Sequence, residues 1–135
     1  MQYYKLLKIN GLIKNFRIKF FGLYLFHIFK KRYLAVHFDP INACNLRCKM
    51  CYFTDADYVK KTKGIFNPDE LDLFAKAILK RAIKLQIGCG TEPTLYKHID
   101  KIVSLASKYQ VPYISLTTNA NLLKKDKLKN GLQMV

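Results

Sequence analysis

The sequence predicts an α/β chain organised on a parallel sheet. Three runs rich in strand-forming residues, at 33–39, 83–87 and 113–118, alternate with two helical patterns, at 67–79 and 96–110. Strict alternation of this kind means parallel pairing through right-handed crossovers, with functional loops at the carboxyl ends of the strands. Polar or cysteine-bearing stretches follow each run directly, so those ends are expected to carry any chemistry.

The bulk properties suit such a domain. A chain of 135 residues, half of them hydrophobic, is long enough for one core. Its formal charge of +15 favours acidic surfaces such as phospholipid head groups, nucleic acid or an acidic substrate, unless it is simply a solvated basic face. Four cysteines do not make a disulfide scaffold here, because three are clustered in one loop and Cys89 sits in an apolar run, where it reads as a buried small residue. A reduced, cytoplasmic setting is expected.

Residues 1–32 carry Lys5, Lys8, Lys14, Arg17, Lys19, Lys30, Lys31 and Arg32 and no acid, the first carboxylate being Asp39. Phe20–Phe29 is almost wholly apolar and aromatic, but a membrane span needs about 20 such residues. The segment reads as a basic, aromatic-rich extension packed on the following domain, with His27 part of it, since its amphipathic pattern is imperfect and Gly22 weakens a helix. The competing reading is an interfacial segment whose Phe20, Phe21, Leu23, Phe26 and Phe29 dip into anionic membrane. No base-recognition module accompanies it, so specific nucleic-acid binding is not expected.

Tyr33–Asp39 is the first strand, ended by Pro40. His37 and Asp39 share a strand face at i and i+2, a spacing that packing produces as readily as an acid/base pair does. The strand delivers Cys44, Cys48 and Cys51, three thiols within eight residues. A structural zinc takes four protein ligands in a closed tetrahedron. Three thiolates leave zinc one short, but they suit a four-iron, four-sulfur cluster whose fourth iron stays open. The same i, i+4, i+7 spacing fits the buried face of a short helix with inert thiols. Asn45, Arg47 and Lys49 are a poor frame for that helix, and Pro40 with Asn42 indicates a loop.

Cys-x-x-x-Cys-x-x-Cys behind a strand resembles the cluster-binding signature of the radical S-adenosylmethionine (radical SAM) enzymes. The resemblance implies that Cys44, Cys48 and Cys51 hold a [4Fe-4S] cluster whose open iron is chelated by SAM. Reductive cleavage of SAM would then give a 5′-deoxyadenosyl radical that takes hydrogen from a peptide or small-molecule substrate, with an electron donor such as flavodoxin or ferredoxin. Met50, just before the third Cys, stands where the family commonly has an aromatic residue near the adenine; a thioether also packs on a ring.

The remaining elements follow in order. Residues 54–66 are polar and Lys-rich and read as an exposed connection. Asn67-Pro68-Asp69-Glu70 starts a helix, with Asn as N-cap, Pro at the first position and Glu three residues after the cap. Leu71, Phe74, Ala75, Ile78 and Leu79 form its apolar face. Ile83–Ile87 alternates with period two and runs into a tight glycine turn. There Gly90-Thr91-Glu92-Pro93 resembles the family's Gly-Gly-Glu-Pro segment, which contacts the amino end of SAM, with Thr91 in place of the second Gly. A helix over 96–110 has Ile99, Ile102, Val103, Leu105 and Ala106 as its apolar side. The strand 113–118 ends in Thr118-Asn119-Ala120, which resembles the family's Thr-Asn-Gly segment near the cofactor. A Lys-rich helix is expected from 122 on.

The resemblance implies a parallel (β/α) partial TIM-type barrel of about six units, on the order of 190 residues at the spacing of the closed barrel. Residues 33–135 suffice for about three, so the chain reads as truncated to the amino-terminal part of that core. The alternative reading is a non-catalytic zinc or iron-sulfur module, in which Cys89 or His37 completes a zinc site.

Overall fold

The computed structural model describes residues 2–123, so all of the expected Lys-rich helix but 122 and 123 lies outside the described residues. Three strands form one parallel sheet in the order β1 (Leu34–Phe38), β2 (Ala82–Ile87), β3 (Tyr113–Leu116). Two helices, α1 (Gln2–Leu12) and α2 (Phe16–Ile28), precede the sheet. Between β1 and β2 lie α3 (Ala56–Lys61) and α4 (Leu71–Ile78), and α5 (Ile99–Lys108) joins β2 to β3. The expected α/β alternation is therefore present as a three-stranded piece of a parallel (β/α) barrel.

One face of the sheet holds the core. Phe38, Leu85 and Ile87 meet Leu71, Ala75 and Leu79 from α4 and its final turn, and Ile99, Ile102, Leu105 and Ala106 from α5. Phe74 stacks on Phe38 at 4.5 Å between ring centroids, and Phe66 meets the same ring edge-on at 5.1 Å. The apolar spacing read from the sequence is thus the spacing that buries these helices. Residues on the other face are polar: Gln86 donates to the Thr117 hydroxyl at 2.6 Å and accepts from Ser115 at the same distance.

A register shift lets β2 switch faces at its start. Leu34 pairs with Ala82 but Ala35 pairs with Lys84, which leaves Ile83 as an extra residue. Ala82 belongs to the helix-covered core, whereas Ile83 lines a cleft of about 340 Å³ with Tyr33, Ala35 and the cleft-facing side chains of the first two helices, among them Leu7, Ile9, Lys19 and Phe26. The bulge therefore supplies an apolar seat on an otherwise polar face. Arg32 ties the same region down, its guanidinium donating to the carbonyls of Leu79, Ala82 and Tyr109.

Several boundaries differ from expectation for local reasons. α2 runs through Gly22, since Asn15 caps it by accepting from Arg17 N–H at 2.9 Å and one glycine costs only about 1 kcal/mol. The expected connection 54–66 contains α3, capped by Asp55, which accepts from the N–H groups of Asp57 and Tyr58. Asn67 does cap its turn, but Pro68–Glu70 is a 3-10 turn and the α-helix begins at Leu71. α5 starts at Ile99 because Tyr96 is held in an extended conformation, buried, with its hydroxyl donating to Phe66 O at 3.0 Å.

Leu85, fully buried on the middle strand, tests this core. Leu85→Ala should lower unfolding free energy by about 2–5 kcal/mol, whereas Leu73→Ala, on the exposed side of α4, should change it by less than about 0.5 kcal/mol. Urea unfolding followed by circular dichroism separates the two; equal effects would contradict this assignment of the core face.

Candidate functional site

The carboxyl ends of all three strands converge on one buried carboxylate. Glu92 is 1% exposed, the one charged side chain buried among the described residues. Its Oε1 accepts from Thr118 Oγ1 at 2.6 Å, from Thr94 N–H at 3.1 Å and from the Thr94 hydroxyl. Its Oε2 accepts from Asn119 N–H at 2.7 Å, and its own N–H donates to Ala43 O at 2.9 Å. Residues after β1, β2 and β3 are thereby joined. Burial pushes the Glu92 carboxyl up, but the hydrogen bonds from Thr118, Thr94 and Asn119 outweigh it and hold the group below its ordinary value.

From this hub the connection reaches the cysteines. Asn119 Nδ2 donates to Asn45 Oδ1 at 2.8 Å and lies 3.9 Å from Cys44 Sγ, which also receives Leu46 N–H at 3.4 Å. The cysteine loop is irregular rather than helical, which removes the reading of inert thiols on a helix face. Arg47 folds back to donate to the carbonyls of Cys44 and Leu46, Cys51 N–H donates to Cys48 O, and the Thr54 hydroxyl closes on Cys48 O at 2.6 Å. All three thiols are free; Cys48 is exposed, Cys44 and Cys51 half-buried. Among the described residues no group of three His, Cys, Asp or Glu side chains is gathered at metal-binding spacing. The donor set itself, three accessible soft sulfurs on one loop rooted in a rigid hub, fits an iron-sulfur cluster with one iron left free.

The glycine turn depends on its glycines. Gly88 has φ +77°, and a Cβ there would come within 2.4 Å of Thr117 O and 2.6 Å of Pro93 Cγ. Gly90 faces Tyr52, whose hydroxyl donates to Gly90 O and occupies the space a Cβ would need. Thr91, where the resemblance has a second glycine, is not among the residues with positive φ; its hydroxyl donates to Asp39 Oδ1 at 2.8 Å, an anchor glycine lacks. Ala120, by contrast, does sit at φ +63°. The glycine of the resembled segment therefore answers a backbone need that this chain meets at a cost.

Other predicted residues separate. Pro93 is buried beside the hub, and Met50 is 99% exposed. Cys89 is exposed, not buried, because it follows the positive-φ turn at Gly88 and leaves the core face. Its Sγ lies 3.1 Å from His37 Nδ1, and its N–H donates to Asp39 Oδ1 at 2.8 Å. Sequence reasoning missed Tyr52, Asn45 and Asp39 as bracing between loops; the visible signal was an aromatic directly after the third cysteine.

The description "Radical SAM superfamily" belongs to the family model that matches residues 38–131. A probable GTP 3′,8-cyclase of Methanocaldococcus jannaschii is 31% identical over 110 residues, 79% of this chain and 36% of that protein. The GTP 3′,8-cyclase of Campylobacter lari is 30% identical over 96 residues, 68% of this chain and 30% of that protein. The chain thus spans about a third of the length of these relatives. Among solved structures, BtrN in complex with AdoMet and 2-DOIA superposes with a TM-score of 0.63 at 19% identity, covering 76% of this chain and 43% of that one.

Two substitutions probe the hub. Glu92→Gln should lower stability at pH 7 by about 2–4 kcal/mol, since a charged acceptor of several donors is lost in a buried site. A depressed carboxyl contributes stability that is complete above its unfolded value near 4.5 and is lost as pH falls through the lower folded value. The acid limb of the stability curve should therefore be shallower in Glu92→Gln. Ala120→Gly should raise stability by up to about 1 kcal/mol. Urea unfolding at pH 7 and across the acid range measures both.

Proposed function

Because this chain belongs to the radical SAM superfamily, a family of enzymes using a [4Fe-4S] cluster and SAM, we propose that Cys44, Cys48 and Cys51 hold that cluster and leave one iron for the cofactor. When bound, the cluster supplies the electron that splits SAM to a 5′-deoxyadenosyl radical, which takes a hydrogen atom from substrate. The observation that carries this reading is the rooting of the cysteine loop on Glu92 through Ala43, Asn45 and Asn119.

This chain's residues would act as follows. Gly90, Thr91, Glu92 and Pro93 shape the turn beside the loop, with Thr118 and Asn119 across from it, and together they form the wall for the amino-acid end of SAM. Met50, wholly exposed, is free to cover the adenine. Arg47 and Thr54 engage the carbonyls of Cys44, Leu46 and Cys48, which leaves the thiols as the groups the loop offers. The stretch matched by the family model, residues 38–131, is the one bearing these motifs, so the likeness supports the cofactor chemistry. The proposed substrate is a small molecule or peptide taken over the polar face of the sheet, near His37, Gln86 and Thr117. A flavodoxin or ferredoxin would provide the electron, and four free thiols suit a reducing cytoplasm.

Anaerobic reconstitution tests this. The protein should take up close to four irons and four sulfides and show broad cluster absorption. Ala at position 44, 48 or 51 should bleach it, and Cys89→Ala should not. Stoichiometric zinc without sulfide would instead support the metal-module reading.

A further inference from the structure

α2 is apolar on two opposite sides, and the fold accounts for only one. At the rotation of an α-helix, Lys19, Gly22, Leu23 and Phe26 share the side that lines the cleft against β1 and β2. Arg17, Phe20, Phe21, Tyr24 and Ile28 lie on the other. There Phe20 is 69% exposed, Phe21 61%, Tyr24 59% and Ile28 50%. A helix hydrophobic all round belongs in a core or against lipid, not in water.

We propose that this outer side of α2 lies flat on an anionic lipid bilayer. Three further observations choose lipid. First, 13 residues make a helix of about 20 Å, too short to cross hydrocarbon of about 30 Å, and among the described residues no helix is long and apolar enough to span. Second, the exposed side chains are mostly Phe and Tyr, bulky apolar groups of the kind an interfacial helix buries at the head-group boundary. Third, exposed Lys14 and Arg17 stand at one end of the helix and Lys30 and Lys31 at the other, with no carboxylate before Asp39. Protein interfaces are depleted of lysine, whereas lysines flanking an apolar strip reach lipid phosphates on flexible stems.

The seat is rigid and oriented. Arg32, directly after this segment, grips the carbonyls of Leu79, Ala82 and Tyr109, and the cleft residues Tyr33, Ala35 and Ile83 begin their strands. The patch therefore sits toward the amino ends of the strands, while the cysteine loop follows the carboxyl end of β1.

The chain has no tryptophan, so Phe20→Trp introduces a single indole reporter. With vesicles of phosphatidylcholine containing about one-third phosphatidylserine, its emission should shift to the blue; with phosphatidylcholine alone it should not. Raising salt from about 0.1 to 0.5 M should weaken the anionic binding. Replacing Lys30 and Lys31 by Gln in the reporter background should lower the partition coefficient roughly 25-fold, and Phe21→Ser should lower it further, with helix content by circular dichroism unchanged. Equal partition into neutral vesicles, or none into anionic ones, overturns the proposal. Dimerisation by sedimentation that Phe21→Ser abolishes, without vesicle binding, would overturn it in favour of a second copy as occupant.

Discussion

Glu92 is the constraint on which the rest of this structure depends. Removing a carboxylate from water is costly, and among the described residues no cation offsets it; its partners are hydroxyls and backbone N–H groups from Thr94, Thr118 and Asn119. Such donors satisfy the charge only if they stay aimed at it, so the ionised carboxylate forces the ends of β2 and β3 into one arrangement. Its N–H extends the same demand to Ala43, one residue before the first cysteine. A loop without regular structure thus acquires a fixed root, and the sulfur nearest that root, Cys44, is also the one reached by Asn119.

The two faces of the sheet divide the labour. The helix-covered face is apolar and carries stability, because Leu85 and Ile87 have α4 and α5 against them. The opposite face could not be apolar throughout without exposing hydrophobic area to water. It instead pairs Gln86 with Ser115 and Thr117, and changes character only at the Ile83 bulge, where the first two helices lie. A one-residue insertion in β2 thereby decides where the amino-terminal segment can dock.

Local rules made much of this legible in the sequence. The alternation of strands with helices, the Asn67 cap and the glycine turn are short-range signals, and each survives in the structure within a few residues. What escaped is non-local. Nothing around Glu92 indicates that its donors come from Thr118 and Asn119, 26 and 27 positions away. β3 stops at Leu116, earlier than its strand formers suggest, because Thr118 and Asn119 turn out of the sheet to meet that carboxylate. α3 escaped because an exposed helix needs no apolar stripe; Asp55 was its remaining signal. Cys89 misled through its neighbours: a thiol after an apolar strand looks like core, yet the positive φ of Gly88 turns it outward.

That outward turn bears on how four cysteines divide into three and one. Partial burial, and then the nearby Asp39 carboxylate, push the Cys89 thiol above its ordinary range, so at neutral pH it remains protonated beside His37 Nδ1. A protonated thiol is a poor ligand for iron, since only the thiolate binds well. The Asp39 carboxylate that disfavours the Cys89 thiolate also accepts from Cys89 N–H and the Thr91 hydroxyl, so bracing the glycine turn and keeping Cys89 protonated are one arrangement. On the proposed reading, the choice of the loop cysteines over Cys89 then does not rest on distance. It rests on Asp39 keeping its place beside Cys89, where the Cys89 N–H and the Thr91 hydroxyl hold it.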